Sequence, residues 1–217
     1  MQQDRKIARE IKTIAKESKA CEKPHVTKWW HLLMYPDWLR RIQQKPARFL
    51  DSLVKPGMTA ADIGCGLGFY TVELAKMVGE NGLVLAVDMQ PEMLKYTERK
   101  AKRAGLLKRI RLIQCDESDL HLDESLDFAM SMWVVHEVRS RPAFFGQIRE
   151  ALGPKGIYLL AEPILHVSRA SYESICSDAE GAGLAKISQP KVGLSYATIF
   201  SVTDRSDSDF ADGRKQS

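Results

Sequence analysis

The residues with chemistry in them fall at the ends of short apolar runs. Residues 59–70 read TAADIGCGLGFY, an apolar run closing on Asp62 and followed by Gly64, Gly66 and Gly68 at alternate positions. The pattern is that of a buried strand breaking into a glycine-rich turn, with a helix expected over residues 71–78. Glycines so spaced let a ligand approach the backbone where a Cβ would collide with it. The helix that follows brings free amides and the positive end of its dipole to the same point. A nucleotide-like cofactor is the ligand such a turn serves. The dinucleotide fingerprint needs glycine at its first, third and sixth positions, and the sixth position counted from Gly64 is Phe69. Further along, WVVHEV and AEPILH place Trp133, His136, Glu137, Glu162, Pro163 and His166 at the ends of two more apolar runs. A histidine that titrates near neutrality beside a carboxylate suits general base work.

A second run of strand length, residues 82–89 (GLVLAVDM), ends on an acid about one βαβ unit downstream. A carboxylate at the tip of such a strand can accept both hydroxyls of a ribose, and Asp88 is that residue. A third strand, Ile110–Gln114, runs into Cys115, Asp116, Glu117, Ser118, Asp119 and Leu120. A fourth is expected over residues 126–133 and a fifth over residues 156–162, introduced by the turn LGPKG. In order and spacing, Asp62-x-Gly64-x-Gly66-x-Gly68, then Asp88, then Asp116 with Leu120 four residues on resemble the motifs of class I S-adenosylmethionine (SAM)-dependent methyltransferases. The resemblance covers residues 55–202, and within the superfamily it points to the small-molecule branch that holds the quinone-biosynthesis C-methyltransferases. It implies SAM as cofactor, held by Asp62, the three glycines and Asp88. Met89 would lie against the adenine, Asp116 would accept from the adenine amino group, and Glu117 and Trp133 would complete the shell.

These residues need a frame that gathers strand ends. Strands alternate with helices expected over residues 92–104, 142–152 and 168–182, which implies an α/β, doubly wound, Rossmann-like sheet covered on both faces. Residues 185–202 hold two β-rich runs joined at residues 191–194. By the resemblance they close a seven-stranded, mostly parallel sheet whose last strand is antiparallel. Three parts follow: a helical lid segment over residues 1–54, the SAM-binding domain over 55–203 and a polar tail over 204–217. A chain of 217 residues can bury one such core. It has no apolar run of the ~20 residues a membrane span needs. Its N-terminus, charged from Asp4, lacks the apolar stretch of a signal peptide. Four scattered cysteines without a CxxC pair suggest a reducing, cytoplasmic setting.

Residues 1–50 carry 12 Lys and Arg against 5 Asp and Glu, and a second basic group runs from Arg99 to Arg111. Solvated helix faces are the ordinary account of such runs, and neither helix interleaves the aromatics that single-strand binders use. The aromatics sit in residues 27–39, TKWWHLLMYPDWL, where Trp29, Trp30, His31 and Tyr35 are candidates for an acceptor-pocket wall. His166 is a further candidate. Such a lid would dry the pocket and strengthen its electrostatics, while core packing is the better account of any single tryptophan. The resemblance makes the reaction an in-line methyl transfer, for which the protein must align the nucleophile ~3 Å from the methyl group. His136 is the expected base or acceptor anchor, and Glu162 orients it or binds substrate. His136, Glu162 and His166, even joined by Cys21, His25 or His31, show no ligand spacing that demands a metal. The expected acceptor is a small molecule, methylated at O, N, C or S. Two alternatives stand beside it: a nucleic-acid (RNA) methyltransferase using the basic helices, and a non-catalytic SAM-binding protein.

Overall fold

The computed structural model describes residues 46–202. The apolar runs form β1 (Thr59–Ile63), β2 (Leu83–Asp88), β3 (Ile110–Gln114), β4 (Leu126–Met132) and β5 (Leu152–Pro163). With β6 (Leu184–Ser188) and β7 (Ser195–Val202) they make a seven-stranded sheet of order β3-β2-β1-β4-β5-β7-β6. The first five strands pair in parallel, and β7 runs antiparallel to both its neighbours. Parallel neighbours cannot be joined by a tight turn. Helices therefore make the crossovers: α2 (Phe69–Met77), α3 (Pro91–Arg103), α4 (Arg141–Ala151) and α5 (Arg169–Gly181), with α1 (Pro46–Leu50) preceding the sheet.

Helices on both faces explain why β1, β2 and β4 are buried at nearly every position. Alternate residues feed opposite layers. Ala60, Phe128 and Met130 pack with α1, α2 and α3, while Ala61, Leu85 and Ala129 pack with α4 and α5. The sequence marks several helix ends. Pro91 opens α3, where its missing N–H costs nothing, and the Ser168 hydroxyl caps α5 by accepting the Ser171 N–H at 3.1 Å.

Two elements differ from the sequence expectation by more than one residue at an end. Helix α2 begins at Phe69, two residues before the expected Thr71, because Gly68 in the left-handed region turns the chain straight into it. Strand β5 begins at Leu152, absorbing the LGPKG segment that reads as a turn. That segment lies alongside β4 with a register shift between Leu126 and Phe128, so it is an irregular strand. In the second basic group, Lys102 pairs with Glu98 at 2.6 Å, Arg111 with Glu124 at 2.6 Å and Arg109 with Glu80 at 3.5 Å. Those pairs support the solvated-face account. No helix among the described residues is long and apolar enough to cross a membrane.

The layer beneath α4 hinges on Phe145, which is fully buried with its ring 6.1 Å from Tyr158. Phe145→Ala is expected to cost about 3–5 kcal/mol in urea unfolding. A cost below about 1 kcal/mol would mean that α4 does not close this core.

Candidate functional site

The strand order reverses between β1 and β4, and there the carboxyl ends of the strands open into a cavity, as open α/β sheets do. Gly64, Gly66, Asp88, Met89, Asp116, Glu117, Leu120 and Glu137 line it. The three glycines of the first turn all have positive φ, 75° at Gly64, 53° at Gly66 and 71° at Gly68, but their packing differs. A Cβ on Gly64 would run into the Val134 methyls, and one on Gly68 would meet Thr97 at 2.7–3.0 Å. One on Gly66 would meet no protein atom. Packing against protein thus accounts for two of the glycines that the sequence reading gives to the ligand, and Gly66 is the one that leaves room at the cavity.

Asp88 closes β2 with both oxygens engaged. Its Oδ2 accepts the Gly66 N–H at 2.9 Å and its Oδ1 the Gln90 N–H at 2.9 Å. Each oxygen keeps a lone pair for a ligand hydroxyl. Burial pushes the Asp88 pKa up, and the two backbone N–H groups restrain the rise. Asp62, 2% exposed, sits behind the turn and off the cavity wall, where its Oδ2 accepts the Thr71 hydroxyl at 2.6 Å. Burial, helped by the charge on Asp88 and opposed by Thr71, pushes its pKa up to about 6. Among the described residues neither carboxylate has an ion-pair partner.

Past the end of β3, three donors converge on Asp116 Oδ1: the Ser118 N–H at 2.7 Å, the Ser118 hydroxyl at 2.6 Å and the Asp119 N–H at 3.0 Å. Led by the Ser118 hydroxyl, they hold this exposed carboxyl below the usual range. Glu117 is ion-paired with Arg139 at 3.1 Å. The wall carries five carboxylates (Asp88, Asp116, Glu117, Asp119, Glu137) against the single guanidinium of Arg139, so it favours a cationic ligand.

Where β4 ends, Trp133 takes φ 63° and aims its indole N–H at Ser195 Oγ, 2.9 Å away and off the cavity wall. The chain then enters the 3₁₀ turn Val135–Glu137. Glu162, fully buried on β5, accepts the Val135 N–H at 2.7 Å with Oε1 and meets His136 Nδ1 at 2.5 Å with Oε2. Burial alone would lower the His136 pKa. The Glu162 hydrogen bond and charge, with Glu137 adding to them, outweigh it and raise the pKa above its ordinary value. Neither His136 nor Glu162 lines the cavity itself, but the chain neighbours of His136, Val134 and Glu137, do. His166 is exposed and does not join the pair; its backbone N–H bonds to Pro163 O at 3.1 Å. Trp29, Trp30, His31 and Tyr35 lie outside the described residues. Among the described residues no His, Cys, Asp or Glu cluster is placed to hold a metal ion.

The supports of the site carry little signal in the sequence. Thr97, fully buried on α3, donates its hydroxyl to Gly66 O at 2.9 Å. Gln147 on α4 braces the Asp116 loop, accepting the Leu120 N–H at 2.7 Å and donating to Ser118 O at 3.0 Å. A polar residue on an otherwise buried helical face is the one clue, and Thr71 and Thr97 give it.

A family model described as a methyltransferase domain matches residues 54–198. The demethylmenaquinone methyltransferase of Lactobacillus johnsonii is 31% identical over 125 residues, 56% of this chain and 51% of that protein. Its namesake in Staphylococcus carnosus is 29% identical over 124 residues, 55% of this chain and 50% of that protein. The chain thus spans about half the length of these curated relatives. Among solved structures, a SAM-dependent methyltransferase from Aquifex aeolicus matches with a TM-score of 0.73 at 25% identity, covering 81% of this chain and 99% of that one. The residues present fit SAM. Gly66 leaves room at the backbone, Asp88 keeps lone pairs for a ribose, and the anionic wall complements a sulfonium and an ammonium.

The folded pKa of Asp62, about 6, lies above its ordinary 3.8, so this group's contribution to stability is present below pH 4 and is lost as pH rises through 6. Asp62→Asn removes that charge while leaving an acceptor for Thr71. It is expected to raise the melting temperature of the ligand-free protein by several degrees at pH 7, an effect of at most about 3 kcal/mol. The gain should vanish below pH 4. An unchanged or lower value at pH 7 would contradict a buried, uncompensated charge.

Proposed function

The chain belongs to the methyltransferase domain family, and on that premise we propose that it methylates a small molecule whose reacting atom must first lose a proton. The cofactor is S-adenosylmethionine, which supplies an electrophilic methyl group on a sulfonium and leaves as S-adenosylhomocysteine. Asp88 would hold the ribose hydroxyls, Met89 and Leu120 would flank the adenine, and Asp116 would receive its amino group. The observation that carries the acceptor half is the contact between His136 Nδ1 and the fully buried Glu162. With Nδ1–H donated to the carboxylate, Nε2 is left as the basic nitrogen. His136 would take the acceptor proton there, and Glu162 would stabilise the imidazolium that results.

The segment before α1, which lies outside the described residues, is proposed to cover the acceptor side, the role that the aromatics of residues 27–39 suit, whereas α1 itself packs in the core. A cytoplasmic setting belongs to the same proposal, supported by the free thiols of Cys65, Cys115 and Cys176. The RNA reading draws no support from the second basic group, where Lys102, Arg109 and Arg111 are held by acidic neighbours, and most of the first basic group lies outside the described residues.

Asp88→Ala is expected to weaken SAM binding at least tenfold by calorimetry, about 1.4 kcal/mol or more, since a ribose would lose charge-assisted bonds. Unchanged affinity in a folded variant would remove Asp88 from the site. The acceptor is sought by screening small phenols, enols, amines and thiols for transfer of labelled methyl from SAM. His136→Ala should leave SAM affinity within about threefold and lower transfer by roughly 10²–10⁴. Because the neutral imidazole is the active form and its pKa is raised, transfer should climb with pH through a midpoint above 6.5. A flat profile, or loss of SAM binding in His136→Ala, would contradict the base assignment. A protein that binds SAM yet transfers methyl to no acceptor class would favour a SAM-binding role without catalysis.

A further inference from the structure

Trp133 is one of two non-glycine residues with positive φ among the described residues. A bulky side chain rarely adopts that conformation, so something must hold it there. Two bonds do. Its backbone N–H donates to Ala161 O on β5 at 2.8 Å, and its indole N–H donates to Ser195 Oγ, at the start of β7, at 2.9 Å. Ser195 stands opposite Pro163 in the β5–β7 ladder, one residue beyond Glu162. The consequence lies downstream. From Trp133 the chain turns so that Val134 packs over Gly64, the Val135 N–H reaches Glu162 Oε1, and His136 meets Glu162 Oε2.

We propose that Ser195 is a positioning residue for the His136–Glu162 pair, acting through the indole of Trp133. Three strands converge on the pair: β5 carries the carboxylate, β4 exits into the histidine, and β7 pins that exit. The indole anchor keeps Trp133 in its left-handed turn. Without it only the Trp133 N–H bond to Ala161 O opposes relaxation towards negative φ, which draws His136 away from Glu162. Ser195 does not line the cofactor cavity, so its loss spares cofactor binding. The role rests on the reading of His136 as the base, but its test does not depend on turnover.

The test follows the His136 imidazole by NMR through a pH titration of the full chain, with and without S-adenosylhomocysteine. The charged groups facing His136 are Glu162 and Glu137, and Ser195→Ala alters neither. Ser195→Ala is expected to lower the His136 midpoint towards its ordinary value, while the dissociation constant for S-adenosylhomocysteine stays within about threefold. Trp133→Phe, which keeps a ring and removes the indole N–H, should give the same change. Ser195→Thr, which keeps the hydroxyl, should restore the wild-type midpoint. Once an acceptor is known, Ser195→Ala should lower kcat and leave KM for SAM unchanged. An unmoved midpoint in Ser195→Ala, or in Trp133→Phe should the first variant fail to fold, would overturn the proposal. A shifted midpoint in a protein that transfers no methyl would keep the coupling and remove the enzymatic reading.

Discussion

Two carboxylates stand buried at adjacent strand tips, Asp62 on β1 and Asp88 on β2, with no ion-pair partner among the described residues. Desolvation raises the pKa of both. Asp88 lines the cavity, where a ligand hydroxyl can answer it, and Asp62 supports the turn from behind; much of the surrounding architecture keeps both in place. Thr71 holds Asp62 from the first turn of α2, and the amides of Gly66 and Gln90 hold Asp88. The Gly66 amide can reach Asp88 because the turn is pressed between Val134 on one side and Thr97 on the other, contacts that only glycine at positions 64 and 68 allows.

The second half of the site is built on the same logic of a buried charge held by fixed donors. Glu162 is fully buried, and a backbone N–H and an imidazole occupy its two oxygens. The same turn that places His136 against Glu162 packs Val134 on the glycine loop. The glycine turn and the His136–Glu162 pair thus both lean on one segment of six residues, from Trp133 to Val138. The His136–Glu162 contact depends on how that segment is held, which is why its anchorage to β5 and β7 matters.

Much of the fold was legible in the sequence because burial on both faces leaves long apolar runs, and parallel strands force helices between them. Asp88 and Asp116 were legible because each ends such a run at a spacing that the sheet converts into proximity. His136 and Glu162 stand near strand ends for the same reason, although no sequence rule says that they touch. What escaped the reading depends on three-dimensional closeness without periodicity. Thr97 meets Gly66 from 31 positions away, and Ser195 meets Trp133 from 62. The three glycines look alike as letters and differ only in what lies next to each. The irregular start of β5 was hidden by its proline and glycines, which read as a turn until β4 lies beside them.

The claim on which the rest stands is that this anionic, glycine-floored cavity takes the adenosyl sulfonium. Calorimetric titration of the wild-type protein with S-adenosylmethionine, S-adenosylhomocysteine and NADH tests it most directly. Micromolar binding of the first two and none of the third is the expected result. Absence of binding by either adenosyl ligand, or preference for NADH, would contradict the account.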